Sequence, residues 1–415
     1  MGSFSFSVGN AGKLLRLPLY VLGRVATLLI PRSRDEWVFG CATGVADGAL
    51  ALWERAAQDD VPAVWLTGAA HEQAAARSRG IPHVPKASPR GFWRTARARV
   101  IVVTHGFGDV NRYATSGAHV VQLWHGIPLK RIGLDSPVTT RSPLRVAAGP
   151  ISALLTAAYR STQRRIRLIP AASHLVRGRL ESAFGLGDAA VPVTGEPRVD
   201  VLSRGTAAER RRSARVQIAA AVGAVADETR IVLYAPTWRD GAPDPAVPDA
   251  RHWAAVLRLL DEQDALLLIR SHPLGAGEYA PPRRTDRVRR LGSELVSDVT
   301  PLLPGMDVLV TDYSSLAFDS ALVPLPVVWF APDEAAYAAT RGFYGRYRDV
   351  AGPDVAATWD AVTAQLHDLL ADEAVRAERL DRAARLSAAV HAFADGGNTE
   401  RVYRAILRSL PKGAA

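Results

Sequence analysis

The chain has 415 residues, 48% of them apolar and 22% charged, with Lys and Arg outnumbering Asp and Glu 51 to 41. Such a composition excludes a disordered chain and supplies enough residues for about two or three domains. The net charge of +10 points to an anionic counterpart, whether nucleic acid, phospholipid headgroups or a phosphate-rich substrate, and the single cysteine, Cys41, excludes an intramolecular disulfide and suits a reducing compartment.

The first element is the run LLRLPLYVLGRVATLLI at residues 14–30. Lys13, Arg16, Tyr20, Arg24 and Thr27 recur at spacings of three and four, so on a helix they share one face while Leu, Val and Ile cover the rest. That pattern predicts an amphipathic helix lying in the interface of an anionic membrane. Its arginines lie inside the apolar run and Pro-Arg-Ser-Arg follows, which argues against a cleaved secretory signal.

From Trp37 onward, short β-branched or aromatic runs alternate with helical patterns, the signature of βαβ units and parallel sheets. One set of strands is expected at 37–40, 61–67, 100–106, 119–126, 167–172 and 191–197, and a second at 230–238, 265–272, 295–298, 307–315 and 325–332. A charged stretch from Ser203 separates them, and a third region, Ala- and Arg-rich and helical, ends in NTERVYRAILRSL with Asn398 as its expected N-cap. The expected organisation is a membrane-interface segment at 1–34, two Rossmann-like domains at 35–205 and 206–390, and a terminal helix at 391–415.

Doubly wound domains bind ligands at the carboxyl ends of their strands. In this chain His125, Thr237, Arg239, His272, Asp312, Ser314 and Ser315 all follow an apolar strand. QLWHGIPLK presents His125 in a Gly-x-Pro turn with Lys130 close behind, and LLLIRSHP brings Arg270, Ser271 and His272 to a strand end closed by Pro273. YAPTWRD offers a hydroxyl and a guanidinium after Pro236, from Thr237 and Arg239, while VLVTDYSSLAFDS starts a helix at Ser314 or Ser315 with Asp319 one turn in. Free amides, hydroxyls and the positive helix end suit phosphate. GEPRVD sets Arg198 near the junction of the two domains, and RGFYGRYRD mixes aromatics with arginines as a nucleotide surface would. Each feature also has a structural alternative: a histidine bonded to backbone, a serine cap, a turn arginine. A dinucleotide fingerprint, a P-loop, a zincin helix and a cysteine cluster are all missing from the sequence, so neither a metal nor another cofactor is expected.

Taken in order, HGIPLK, GEPRVD, YAPTWR, RSHP, DVLVTDYSS, RGFY and FADGGNTERV resemble the CDP-glycerol glycerophosphotransferase family of teichoic acid synthesis, over residues 38–403. The resemblance implies a GT-B fold, two Rossmann-like domains facing a cleft, attached peripherally to the cytoplasmic face of the cell membrane. It implies transfer of glycerol phosphate from CDP-glycerol to a lipid-linked saccharide or poly(glycerol phosphate) acceptor, releasing CMP, with no nucleic acid partner. For such a reaction His125 is expected to act as general base on the acceptor hydroxyl and His272, with Arg270, to stabilise the pyrophosphate, or the two histidines with these roles exchanged. Carried across residue by residue, substrate contacts fall to Gly126, Ile127, Pro128, Leu129, Lys130, Arg198, Pro236, Thr237, Arg239, Arg270, Ser271, Ser314, Ser315 and Asp319. Ile127 stands where the family often has threonine, and Glu196 and Val199 where it often has aromatic and asparagine residues, so the donor polyol is less firmly implied than the reaction class. The competing readings are a nucleotide-sugar GT-B glycosyltransferase, a transferase of ribitol phosphate, and a basic nucleic-acid-binding or membrane-scaffold protein.

Overall fold

A computed structural model describes residues 17–137, 139, 148–239, 244–271 and 279–411. Its strands form two all-parallel sheets. The first contains β1 (Trp37–Gly40), β2 (Ala63–Thr67), β3 (His83–Pro85), β4 (Val100–Val103), β5 (His119–Gln122) and β6 (Ile166–Leu168), in the order β3-β2-β1-β4-β5-β6. The second contains β7 (Arg230–Ala235), β8 (Ala265–Ile269), β9 (Val288–Arg290), β10 (Val308–Thr311) and β11 (Val327–Trp329), in the order β11-β10-β7-β8-β9. Every residue of β1, β4, β8 and β10 is buried, as expected for parallel strands covered on both faces, and this explains why they read as unbroken Val/Ile/Leu runs.

The chain divides into two compact units, one of Met1–His125, Arg131–Asp200 and His391–Ala415, the other of Gly126–Lys130 and Val201–Val390. In the first, Phe39, Trp53 and Trp65 form an aromatic group, with Phe39 meeting Trp53 edge-on at 5.1 Å, and Val402, Tyr403 and Ile406 of the terminal helix Asn398–Ser409 join the same core. In the second, Trp253 and Trp359 pack with Val232, Leu267, Val308 and Val310.

Several elements differ from the sequence expectation. Residues 295–298 form no strand; the edge strand of the second sheet is instead the VRR of β9, whose arginines read as a loop but suit a partly exposed edge. β3 is too short and too polar to stand out in the sequence. Of the expected strand at 191–197, only an isolated bridge, Ala171 to Val193, is present.

Nor is Asn398 the N-cap: Gly397 holds that position, and the first amides of the terminal helix are capped from a distance. Asp200 Oδ1 accepts from the Asn398 amide at 2.9 Å, and its Oδ2 from the Thr399 amide at 2.8 Å and hydroxyl at 2.6 Å. A carboxylate at a helix N-terminus satisfies orphan donors and complements the dipole. Gly195, at φ +76°, makes room for this junction, because a Cβ there would lie 2.0 Å from Asn398 Oδ1.

Helix α1 (Leu17–Leu29) lies on the first unit through one narrow face. Gly23 and Thr27 are buried, Tyr20 meets Tyr113 edge-on at 4.9 Å, and a Cβ on Gly23 would strike the Tyr113 carbonyl at 2.4 Å. The opposite face, with Val21, Leu22, Val25, Leu28 and Leu29, is apolar and 51–80% exposed. Lys13 and Arg16 of the expected basic stripe lie outside the described residues, and Arg24 is exposed. Among the described residues no helix is long and apolar enough to cross a membrane.

Candidate active site

In the first unit the polar residues collect at the carboxyl ends of β1, β4 and β5. His125 lies three residues past β5, and the residue before it, Trp124, has φ +63°, a conformation rarely adopted by a bulky side chain. That turn of the backbone lets the Trp124 ring pack on the His125 ring at 4.2 Å and, edge-on, on Phe184 at 5.1 Å. Trp124 therefore helps to set the histidine. On the His125 ring also lies a second imidazole, His105, with centroids 4.3 Å apart.

Helix α2 (Asp47–Gln58) begins at the same corner. A Cβ on Gly48 would meet the Arg198 amide nitrogen at 3.4 Å and the Leu123 side chain at 3.5 Å, so the end of β5, the segment carrying Arg198 and the start of α2 converge. Asp47, also at positive φ, stands 3.6 Å from Arg198 Nε, and both side chains are about nine-tenths buried. Cys41 is buried nearby, and burial, with Asp47 and Asp109 adding to it, pushes its thiol well above the ordinary cysteine range, so it is no nucleophile.

In the second unit the adjacent strands β10, β7 and β8 bring Ser314 and Ser315, Thr237, and Arg270 with Ser271 to one edge. The organiser is Asp312, which is 2% exposed. Its Oδ1 accepts from the amides of Thr237 at 2.8 Å and Tyr313 at 2.6 Å, while Oδ2 accepts from Arg239 Nη1 at 2.8 Å. Thr237 thereby has its amide occupied and its Oγ1 buried with no partner among the described residues. Ser314 Oγ accepts from the Leu316 amide at 3.2 Å; Ser315 sits at the cap of the short helix α3 (Leu316–Ser320) without a capping bond from its side chain. Asp319 is fully buried in α3 and Pro236 is buried beside Thr237.

For several residues this placement differs from the expected phosphate contact. Arg239 aims Nε and Nη2 at the two oxygens of Asp333, both at 2.8 Å, and gives Nη1 to Asp312 and to the Thr237 carbonyl at 2.5 Å. Its guanidinium also lies over the Tyr313 ring at 4.9 Å and the Tyr337 ring at 5.0 Å. Burial opposes its charge, but the two carboxylates more than offset this and hold its pKa above the ordinary arginine value. Arg239 is therefore a strut that fixes Thr237 and the start of α3. Arg270 likewise gives Nη1 to the carbonyls of Leu291 and Val296, at 3.2 and 2.9 Å, and Nη2 to that of Ser297 at 3.3 Å, bracing the loop beyond β9. Desolvation lowers its pKa.

Gly126–Lys130 belongs with the second unit by pairing against the RGFY segment: Lys130 bridges Phe343, and the Tyr344 amide donates to the Leu129 carbonyl at 3.0 Å. The Ile127 and Leu129 side chains are 0% and 2% exposed and Gly126 and Pro128 are buried, so these four shape the turn from within. The aromatics of RGFYGRYRD are structural too. Phe343 and Tyr347 are buried against each other at 5.2 Å, and Tyr313 stacks on Tyr337 at 4.0 Å. His272 and Pro273 lie outside the described residues; Ser271 is described and half-buried.

Sequence reasoning missed His105, Asp109, Asp47 and Asp333. His105 had a signal, since it follows β4 as His125 follows β5; Asp333 had none, lying 94 residues from Arg239.

Two parallel sheets with polar residues gathered at their carboxyl edges are the framework of a GT-B-like fold. A solved structure of the wall teichoic acid polymerase TagF matches this fold with a TM-score of 0.75 at 18% identity, over 94% of this chain and 93% of that one. A UDP-GlcNAc 2-epimerase from Neisseria meningitidis matches more distantly, with a TM-score of 0.52 at 14% identity over 90% of this chain and 99% of that one. The model of the CDP-Glycerol:Poly(glycerophosphate) glycerophosphotransferase family matches residues 27–408, and the chain belongs to that family. A teichoic acid glycerol-phosphate transferase from Staphylococcus aureus is 26% identical over 75% of this chain and 77% of its own length. A teichoic acid ribitol-phosphate polymerase, TarL, from the same organism is 25% identical over 70% of this chain but only 48% of its own length.

The strut role of Arg239 predicts that Arg239→Lys, which cannot reproduce the bidentate bond to Asp333 and the bond to Asp312 together, destabilises the protein by about 3 kcal/mol. Urea unfolding followed by circular dichroism measures this. Undiminished stability combined with a raised KM for the nucleotide donor would instead place Arg239 on the substrate.

Proposed function

We propose that the protein transfers glycerol phosphate from CDP-glycerol to a hydroxyl of a lipid-linked acceptor and releases CMP. The observation that carries this reading is the family match over residues 27–408. Glycerol is favoured over ribitol because a relative of which this chain spans 77% is a glycerol-phosphate transferase, whereas the chain spans 48% and 52% of two ribitol-phosphate polymerases. The ribitol-phosphate polymerases keep transfer of ribitol phosphate as the second reading.

In the proposed reaction the acceptor oxygen attacks the β-phosphorus of CDP-glycerol. A new P–O bond forms, the bond to the CMP oxygen breaks, and the acceptor proton passes to His125. An imidazole, with an unperturbed pKa of about 6.5, suits this task at neutral pH. On the donor side, Thr237 Oγ1 is a buried hydroxyl that needs a hydrogen-bond partner, and a phosphate oxygen would supply one. Ser315, Ser271 and Lys130 are further donors, and His272 is assigned to charge on the pyrophosphate. Arg239 and Arg270 serve by holding the loops that carry these groups.

On this reading His125→Ala lowers CMP release by about 100-fold or more, the usual contribution of a positioned general base, with circular dichroism unchanged. Thr237→Val lowers it less and raises KM for the donor. CMP release at the wild-type rate in a folded His125→Ala protein would remove His125 from the mechanism.

We also propose that the protein attaches peripherally to the cytoplasmic face of the cell membrane through α1. A helix packed through Gly23 and Thr27 that turns Val21, Leu22, Val25, Leu28 and Leu29 outward has its apolar face ready for acyl chains. The combined change Leu22→Glu, Val25→Glu and Leu28→Glu should abolish sedimentation with anionic vesicles while leaving a folded, monodisperse protein. Unchanged sedimentation would discard this attachment.

A further inference from the structure

The end of β4 carries a histidine that no motif of the family resemblance uses. The His105 ring lies flat against the His125 ring, with centroids 4.3 Å apart and planes within 8° of parallel. His105 is itself held firmly. Its Nδ1 is 2.7 Å from Thr104 Oγ1, and its backbone N–H donates to Asp109 Oδ2 at 2.7 Å. The same carboxylate oxygen accepts from the Thr104 amide at 2.9 Å, and Asp109 is 1% exposed. A buried carboxylate thus fixes the turn that carries His105, and His105 in turn presents a rigid face to His125.

Packing alone would be served by phenylalanine, whereas an imidazole brings a charge of its own. We infer that His105 is a positioning residue for the proposed reaction: it fixes the plane of the His125 ring and, because two stacked imidazolium rings repel, keeps His125 in its neutral, proton-accepting form. The inference rests on the reading of His125 as the base. Charged and titratable groups lie near the pair on two sides. On the β4 side are Asp109 and Lys86, whose Nζ donates to the Gly108 carbonyl at 2.9 Å. On the β1 side, Cys41 accepts from the Thr104 hydroxyl at 3.1 Å, and Asp47 stands beside Arg198. From its own turn His125 is flanked by Trp124, which carries no charge.

The test uses the full chain labelled with ¹³C at histidine Cε1, in the wild type and in His105→Phe, which keeps the stack and removes the second charge. With repulsion gone, the His125 resonance should take up its proton at a pH higher by about one unit or more, as expected for charges this close in a partly desolvated site. The acid limb of the pH profile for CMP release should move with it, KM changing less than kcat. His105→Gln, which removes both ring and charge, gives the same displacement of the His125 resonance if phenylalanine is poorly accommodated. A His125 titration that is unmoved in both variants overturns the proposal, whatever the rate of the enzyme. If the resonance moves but His125→Ala releases CMP normally, the coupling stands and the general-base reading fails.

Discussion

Buried aspartates at strand ends are the constraint on which the rest of the structure depends, and Asp312 shows the principle most fully. A carboxylate removed from water is costly unless its oxygens are met by donors. The amides of Thr237 and Tyr313 and the guanidinium of Arg239 meet that demand, and in doing so they tie the loop after β7 to the loop after β10. Asp333 holds Arg239 from the other side and also accepts the Tyr313 hydroxyl at 2.9 Å. Desolvation pushes the Asp333 carboxyl up, but Arg239 and Tyr313 together leave it below the ordinary carboxylate range. The network is closed, so the hydroxyls of Thr237 and the serines are presented by a rigid edge.

The first unit relies on buried aspartates too, once after a strand and once at a helix start. Asp109 gathers the amides of Thr104 and His105 and so sets the ring against which His125 rests. Desolvation raises its pKa, and the two amides and the nearby cations act in the opposite direction. Asp200 caps the terminal helix, which explains how a segment almost two hundred residues away completes the core beside β1. In each case the side chains that face ligand in the proposed reaction are not the ones that build the network. Preorganisation of this kind places donors where negative charge develops without reorganisation during the reaction.

How much of this was legible in the sequence follows from the range of the interactions. The strands β1, β4, β5, β7, β8 and β10 announced themselves as apolar runs ending in polar residues, so the edges holding His125, Thr237 and Ser314 could be found without a structure. β9 could not, because an edge strand made of Val-Arg-Arg has the composition of a loop. The roles of Arg239 and Arg270 were also hidden: a guanidinium after a strand reads as a phosphate ligand until its partners, Asp333 and the carbonyls beyond β9, are seen. In HGIPLK the motif was legible but the directions of its side chains were not, and Ile127 and Leu129 turn inward. His105 and His125 look alike in the sequence, each a histidine shortly after a buried strand, and only the folded sheet shows that they are neighbours.

In the proposed reaction this framework serves transfer of a polyol phosphate rather than of a sugar. This is tested most directly by mass spectrometry of the acceptor and nucleotide products after incubation with CDP-glycerol, with CDP-ribitol in parallel, and a synthetic lipid-linked acceptor. The expected product is an acceptor heavier by glycerol phosphate units, with CMP formed in equal amount. An acceptor unchanged by both CDP-polyols but extended by a hexose from a nucleotide sugar, with a nucleoside diphosphate released, would contradict it.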